Sequence, residues 1–161
     1  MEPVLRVISG EDWAAFRSLR LRALADSPTA FGATLAEAEA QPESVWRERA
    51  GGPGPLLMAF DGDDPVAMGG LFVPEGAGEA FVWGMWTAPE ARGRGLGARL
   101  LRELLDHARR LGRTVSLHVT EGNDGARRLY EAHGFTGTGE REPLREGSDL
   151  RIERLERPAG D

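Results

Sequence analysis

Two periods of apolar residues run through this chain, one helical and one alternating, and the switches between them delimit its elements. Val4 to Ile8 alternates briefly, as a first strand does. Trp13, Phe16, Leu19, Arg20 and Leu24 then recur at helical spacing as far as Asp26, and Ser27-Pro28 breaks the pattern. Ser9 stands where an N-cap belongs, with Asp12 three residues later in the capping-box position. A second helix is predicted over Leu35 to Arg49, rich in alanine and glutamate, with Pro42 limiting its continuity. Gly51-Gly52-Pro53-Gly54-Pro55 is a loop by composition.

Leu56 to Phe60, the turn Asp61-Gly62-Asp63-Asp64 and Pro65 to Val73 predict a hairpin, and Pro74 to Gly78 a second turn. Ala80-Phe81-Val82-Trp83-Gly84-Met85-Trp86-Thr87 is a buried strand bounded by Pro89. Leu96, Leu100, Leu101, Leu104, Leu105, Ala108 and Leu111 form the apolar stripe of a helix that Gly112 closes. A strand over Thr114 to Val119, a short helix from about Asp124 to His133 and a strand from Phe135 to Arg141 follow. Leu150 to Leu155 alternates Leu, Ile, Leu against arginine and glutamate, which predicts an edge or half-buried final strand. The resulting order, β-α-α-β-β-β-α-β-α-β-β, mixes antiparallel hairpins with one strand–helix–strand crossover, an α/β fold of the α+β type.

Composition narrows the chemistry. The 161 residues fit one domain, expected to span 1–161 with its core at about 4–155. Zero cysteines exclude disulfides, thiolate metal sites and a cysteine nucleophile. All 20 basic residues are arginine, which removes lysine Schiff-base chemistry. A net charge of −6 argues against nucleic acid as a partner. No apolar run reaches the roughly 20 residues a bilayer span needs, and Met1-Glu2-Pro3-Val4 does not open a signal peptide. We therefore expect no membrane partner and a cytoplasmic location.

The junction between the tryptophan-rich strand and the leucine-striped helix is Arg92-Gly93-Arg94-Gly95-Leu96-Gly97. A glycine-rich turn into a helix start offers free backbone N–H groups beside the positive end of the helix dipole, and so binds phosphate. A P-loop would need Gly-Lys-Ser/Thr, and this chain has no lysine. A dinucleotide fingerprint could be forced as Gly93-x-Gly95-x-x-Ala98, but it requires an acid about 20 residues on to hold a ribose. The nearest, Glu121, comes too late.

Arg92-x-x-Gly95-x-Gly97 after a strand and before a helix resembles the pyrophosphate-binding motif of the GNAT superfamily of acyl-CoA-dependent N-acetyltransferases. Asn123-x-x-Ala126-x-x-Leu129-Tyr130-x-x-x-Gly134-Phe135 is similar to the family's second signature, at the usual separation. Element order matches over about residues 4–155. The resemblance implies a mixed, mostly antiparallel sheet of six to seven strands flanked by about four helices, its parallel core splayed for acetyl-CoA, with no metal. Backbone donors from Gly93 to Ala98, Leu96 included, would meet the pyrophosphate, with Arg92 and Arg94 in support. The main chain of Met85, Trp86 and Thr87 would pair with pantetheine.

Tyr130 would protonate the departing thiolate, and Asn123 would cap its helix or bind pantetheine. Some members use a glutamate of the central strand as base; Glu79, Glu121, His118 or a water chain are open here. The acceptor, a small-molecule amine or a peptide amine, would enter beside Ser27 to Thr34, with Phe31, Trp83 and Trp86 as apolar or cation–π surface. Glu37, Glu39 and Glu43 would favour a cationic amine. Dimerisation, common in the family through edge strands, could use Leu150 to Leu155. The alternative is a CoA-binding sensor that has kept the cleft without turnover.

Overall fold

A computed structural model describes residues 2–76 and 78–159. Ala77, within the turn expected over Pro74–Gly78, and the terminal Met1, Gly160 and Asp161 lie outside the described residues. One seven-stranded sheet holds β1 (Val4–Val7), β2 (Leu56–Asp61), β3 (Asp64–Phe72), β4 (Glu79–Thr87), β5 (Thr114–Thr120), β6 (Thr136–Pro143) and β7 (Arg151–Arg157). Their order is β1-β2-β3-β4-β5-β7-β6, and only the β4–β5 pair is parallel. The helices are α1 (Trp13–Asp26), α2 (Leu35–Glu39), α3 (Glu43–Ala50), α4 (Leu96–Arg110) and α5 (Asp124–Ala132).

Helices cover both sheet faces, because neighbouring residues of a strand point opposite ways. On β3, a Cβ at Gly69 would press on Met85 and lie against Leu104 of α4. One at Gly70 would collide with the Trp83 ring. That ring packs edge-on against Phe16 of α1, whose other neighbour is Trp46 of α3. The core is therefore two leucine- and aromatic-rich layers on either side of β2–β5, with Leu100, Leu101 and Leu104 fully buried beneath α4.

Three local expectations change. The helix expected over Leu35 to Arg49 is two, because Pro42 adopts φ −74°, ψ 163° and cannot supply the N–H that continuity needs. Leu111 lies past the end of α4 and is exposed, so the buried stripe ends at Ala108. Of the two readings of Leu150–Leu155, the half-buried strand holds and the edge does not: β7 pairs with β5 on one side and β6 on the other, so its main chain cannot serve dimerisation by strand addition. The edges are β1 and β6. The Ser9–Asp12 capping box forms as expected, around a short 3-10 turn that leads into α1.

Candidate active site

The turn entering α4 is built on backbone that side chains disfavour. Gly93 and Gly95 sit at φ 81° and 73°, in the left-handed region where a Cβ is costly. Gly95 is the N-cap of α4 and provides no side-chain acceptor, so the first-turn N–H groups lack a side-chain cap. No heavy atom lies within 4 Å of where a Cβ at either glycine would stand. Donors, dipole and open space therefore coincide, which is the make-up of an anion site. Gly97 differs: its Cβ would make ordinary contact, 3.5 Å from Leu129 of α5, inside the helix. Leu96 is buried, anchoring the turn, while Ala98 is partly covered and Arg94 exposed.

Arg92 does not reach toward that open space. Its Nε donates to the Thr87 carbonyl at 2.9 Å and its Nη2 to Asp26 at 2.9 Å, so it braces the turn from behind. The Trp86 indole N–H points to Asp26 and Ser27, each at 3.3 Å, and Arg22 of α1 grips Glu90 at 2.8 Å. The Ser27 hydroxyl and Arg92 hold the Asp26 carboxyl below its usual range. Arg22 brings that of Glu90 down to about 2. These contacts tie α1 to the residues between β4 and α4. They also consume the Thr87 carbonyl, and Trp86 stands opposite Met68 in the β3–β4 ladder, so of Met85, Trp86 and Thr87 only Met85 lines the cleft that opens between β4 and β5.

Between β4 and β5 the sheet opens. Pairing covers only Glu79–Phe81 against Thr114–Ser116. On its other side β4 carries an extra residue: Met68 faces Trp86 while Gly70 faces Trp83, a bulge at which Gly84 adopts φ 68°. The parting strands leave a narrow cleft of about 80 Å³, lined by Trp83, Gly84, Met85, His118, Asn123 and Tyr130 among others. Asn123 caps α5, accepting from Ala126 N at 3.3 Å. Tyr130, 7% exposed, packs edge-on against Phe135, and burial pushes its phenol up to about 12.

Beside the cleft lies a cavity of about 610 Å³ that shares Ala30, Phe31, Val82, Trp83, Gly84, His118 and Thr120 with it. Phe31 and Trp83 thus meet where the acceptor was expected, whereas Trp86 does not line the cavity. The loop before α2 is pinned at the rim. Arg145 donates to the carbonyls of Pro28, Phe31 and Gly32, and the Thr120 hydroxyl donates to that of Thr29.

The expectation of an acid-lined entrance fails. Glu37 is locked in the Thr34 capping box, Glu43 pairs with Arg47 at 2.7 Å, and none of Glu37, Glu39 and Glu43 lines the cavity. The cations over the rings are the protein's own: Arg20 lies 4.7 Å from the Phe31 centroid and Arg49 5.5 Å from that of Trp83. Two candidate bases also fall away, since Glu79 pairs with Arg154 and Glu121 with Arg141 at 3.2 Å, outside both spaces. His118 lines both.

Sequence reasoning did not reach Arg49, Phe72, Leu144 or Ile152 as cavity residues, and assigned Arg20 only to a helix face. The one signal was an arginine inside the apolar stripe of α1.

The model of the acetyltransferase (GNAT) family matches residues 18–135. A mycothiol acetyltransferase of Geodermatophilus obscurus is 37% identical over 136 residues, 80% of this chain and 42% of that protein. The chain thus spans less than half the length of that relative. The N-alpha-acetyltransferase RimI of Mycobacterium tuberculosis is 44% identical over 73 residues, 45% of each chain. Among solved structures, yncA of Salmonella typhimurium, described with its cofactor acetyl-CoA, superposes with a TM-score of 0.75 at 21% identity, over 100% of this chain and 96% of that one.

Proposed function

The chain belongs to the GNAT acetyltransferase family, and from that premise we propose that it transfers an acetyl group from acetyl-CoA directly to an amine, within a ternary complex. The observation that carries this reading is the parting of the sheet past Phe81 into a cleft that Met85, Asn123 and Tyr130 line, on the strand that leads into the unobstructed helix N-terminus at Gly93–Gly95. The diphosphate of coenzyme A accepts from the α4 amides. Pantetheine lies in the cleft along Met85, pairing as an added strand would. The thioester then stands near Tyr130 and Asn123, and the amine arrives from the wider cavity past Phe31 and Trp83. Arg92 serves by holding the turn rather than by touching phosphate. A cytoplasmic setting goes with this reading, since acetyl-CoA is available there.

The amine lone pair attacks the thioester carbonyl, the tetrahedral intermediate collapses, and the C–S bond breaks with its electrons left on sulfur. That sulfur takes a proton from Tyr130, which regains one from the acetylated nitrogen through solvent in the cavity. With the phenol near 12 and a thiol near 8.5, full transfer as an isolated step is uphill by about 5 kcal/mol. The phenol therefore acts as a hydrogen-bond donor that yields its proton only as the thiolate forms. An attacking amine must be neutral, so a proton acceptor is required. Of the three side chains considered, His118 is the one lining the cleft, and we assign it that role, directly or through water.

Thiol release from acetyl-CoA against a panel of amines tests the reading. Release that requires an amine is expected; saturable acetyl-CoA binding with no release for any amine would turn the assignment into a CoA-binding sensor.

A further inference from the structure

The acceptor cavity carries two cations that form no ion pair among the described residues. Arg20 sits in the apolar stripe of α1 and is 6% exposed. Its Nε and Nη1 are buried without a hydrogen-bond partner among the described residues. The guanidinium lies over Phe31 and beneath the β4 bulge, with Nη1 3.7 Å from where a Cβ at Gly84 would stand. Arg49 of α3, half-buried over Trp83, has no ion-pair partner among the described residues. Both line the same cavity, where the other titratable side chains are the exposed Glu48 and His118. Arg127, by contrast, meets the buried carboxylate of Glu153 at 2.9 Å. Burying like charges side by side without a counter-ion is unfavourable. Burial and then Arg49 bring Arg20 down to about 10, so it remains charged at neutral pH.

We propose that the acceptor is a small amine bearing a carboxylate or similar oxyanion a few bonds from its nitrogen, and that Arg20, with Arg49, binds that anion. The proposal rests on the acetyltransferase reading and adds the class of acceptor. A fork of guanidinium donors suits a planar carboxylate. The cavity volume, about 610 Å³, falls in the range of small-ligand sites. An anion held beneath Gly84 leaves the amine at the bulge, facing the cleft that contains Tyr130. A peptide N-terminus whose first residue is neither Asp nor Glu has no carboxylate at that distance and leaves both guanidiniums unpaired.

The test uses the whole chain with free amino acids (glycine, methionine, phenylalanine), their amides, and the corresponding decarboxylated amines. We expect at least one free amino acid to exceed its amide and its decarboxylated amine in kcat/KM by about 10- to 100-fold. Arg20→Gln should erase that ratio while leaving the KM for acetyl-CoA unchanged, and Arg20→Lys should restore part of it. Arg20→Met should raise Tm, because it removes an unpaired buried charge; a merely structural arginine would lower it. Arg49→Gln should reduce the ratio less. Equal turnover of acids and amides, or a ratio that survives Arg20→Gln, overturns the proposal.

Should no amine release thiol, the acetyltransferase reading fails instead. Calorimetry of N-acetylphenylalanine against its amide then still decides the anion site: binding of the acid alone, lost in Arg20→Gln, supports it, and no difference overturns it.

Discussion

Tyr130 concentrates the chemistry of the proposal in one phenol, and the chain makes it unusually easy to follow. It is the only tyrosine present, so its ionisation can be read directly by ultraviolet absorbance. Burial is the cause of its raised pKa, and the midpoint should fall well above the usual value, near 12; a midpoint near 10 would contradict its burial. The sign for stability follows. The folded chain keeps a proton that the unfolded chain releases around pH 10. The stabilisation is therefore complete below pH 10 and is lost as pH rises toward 12, by about 2–3 kcal/mol. Denaturant melts of wild type and Tyr130→Phe should diverge over that window, with wild type the more alkali-sensitive of the two. In turnover, Tyr130→Phe should lower kcat by about 10²-fold with little change in the KM for acetyl-CoA. His118→Gln should lower kcat with little change in the KM for acetyl-CoA. An unaltered kcat would return the role of base to water.

At the scale of elements, the turn entering α4 invites a comparison between glycines that look equivalent in sequence. Gly95→Ala forces a Cβ into left-handed backbone and should cost about 1–2 kcal/mol, weakening coenzyme A binding as the turn deforms. Gly97→Ala meets only ordinary contact with Leu129, inside a helix, and should be neutral or stabilising by up to about 1 kcal/mol. Urea melts of the two variants should move in opposite directions. This difference was not legible in the sequence, where both positions belong to one glycine-rich run. The helix itself was, because six buried apolar residues from Leu96 to Ala108 leave no other period. The boundary at Pro42 was visible only as a limit on continuity. The interior position of β7 was hidden for a different reason. Alternation reports which side chains face the core, but not which strands lie beside one another, and β7 enters the sheet between β5 and β6 only through long-range pairing.

For the whole molecule, the two ends of the proposed reaction differ in how they are encoded. The coenzyme side is local. One strand, one turn and one helix bring together Met85, Trp86, Gly93, Gly95 and Leu96, and Asn123 and Tyr130 follow within a second short segment. The acceptor side is assembled from α1, α3, the loop before α2, β5 and the β6–β7 connection. No spacing rule joins Arg20, Phe31, Arg49, His118 and Leu144, so composition suggested an acidic entrance where the fold builds a cationic one. The brace of Arg92, Asp26 and Trp86 links the two sides, since α1 carries both Arg20 and Asp26. Arg92→Gln should raise the KM for acetyl-CoA several-fold through a loosened turn while the cavity's preference among acceptors persists. A change in acceptor preference with no change in that KM would break the link.

The most direct test of the account is calorimetric titration of coenzyme A into the folded chain. It should give a saturable one-to-one isotherm, because the amides at Gly93–Gly95 are open and uncapped. A flat trace from protein that melts cooperatively would contradict it.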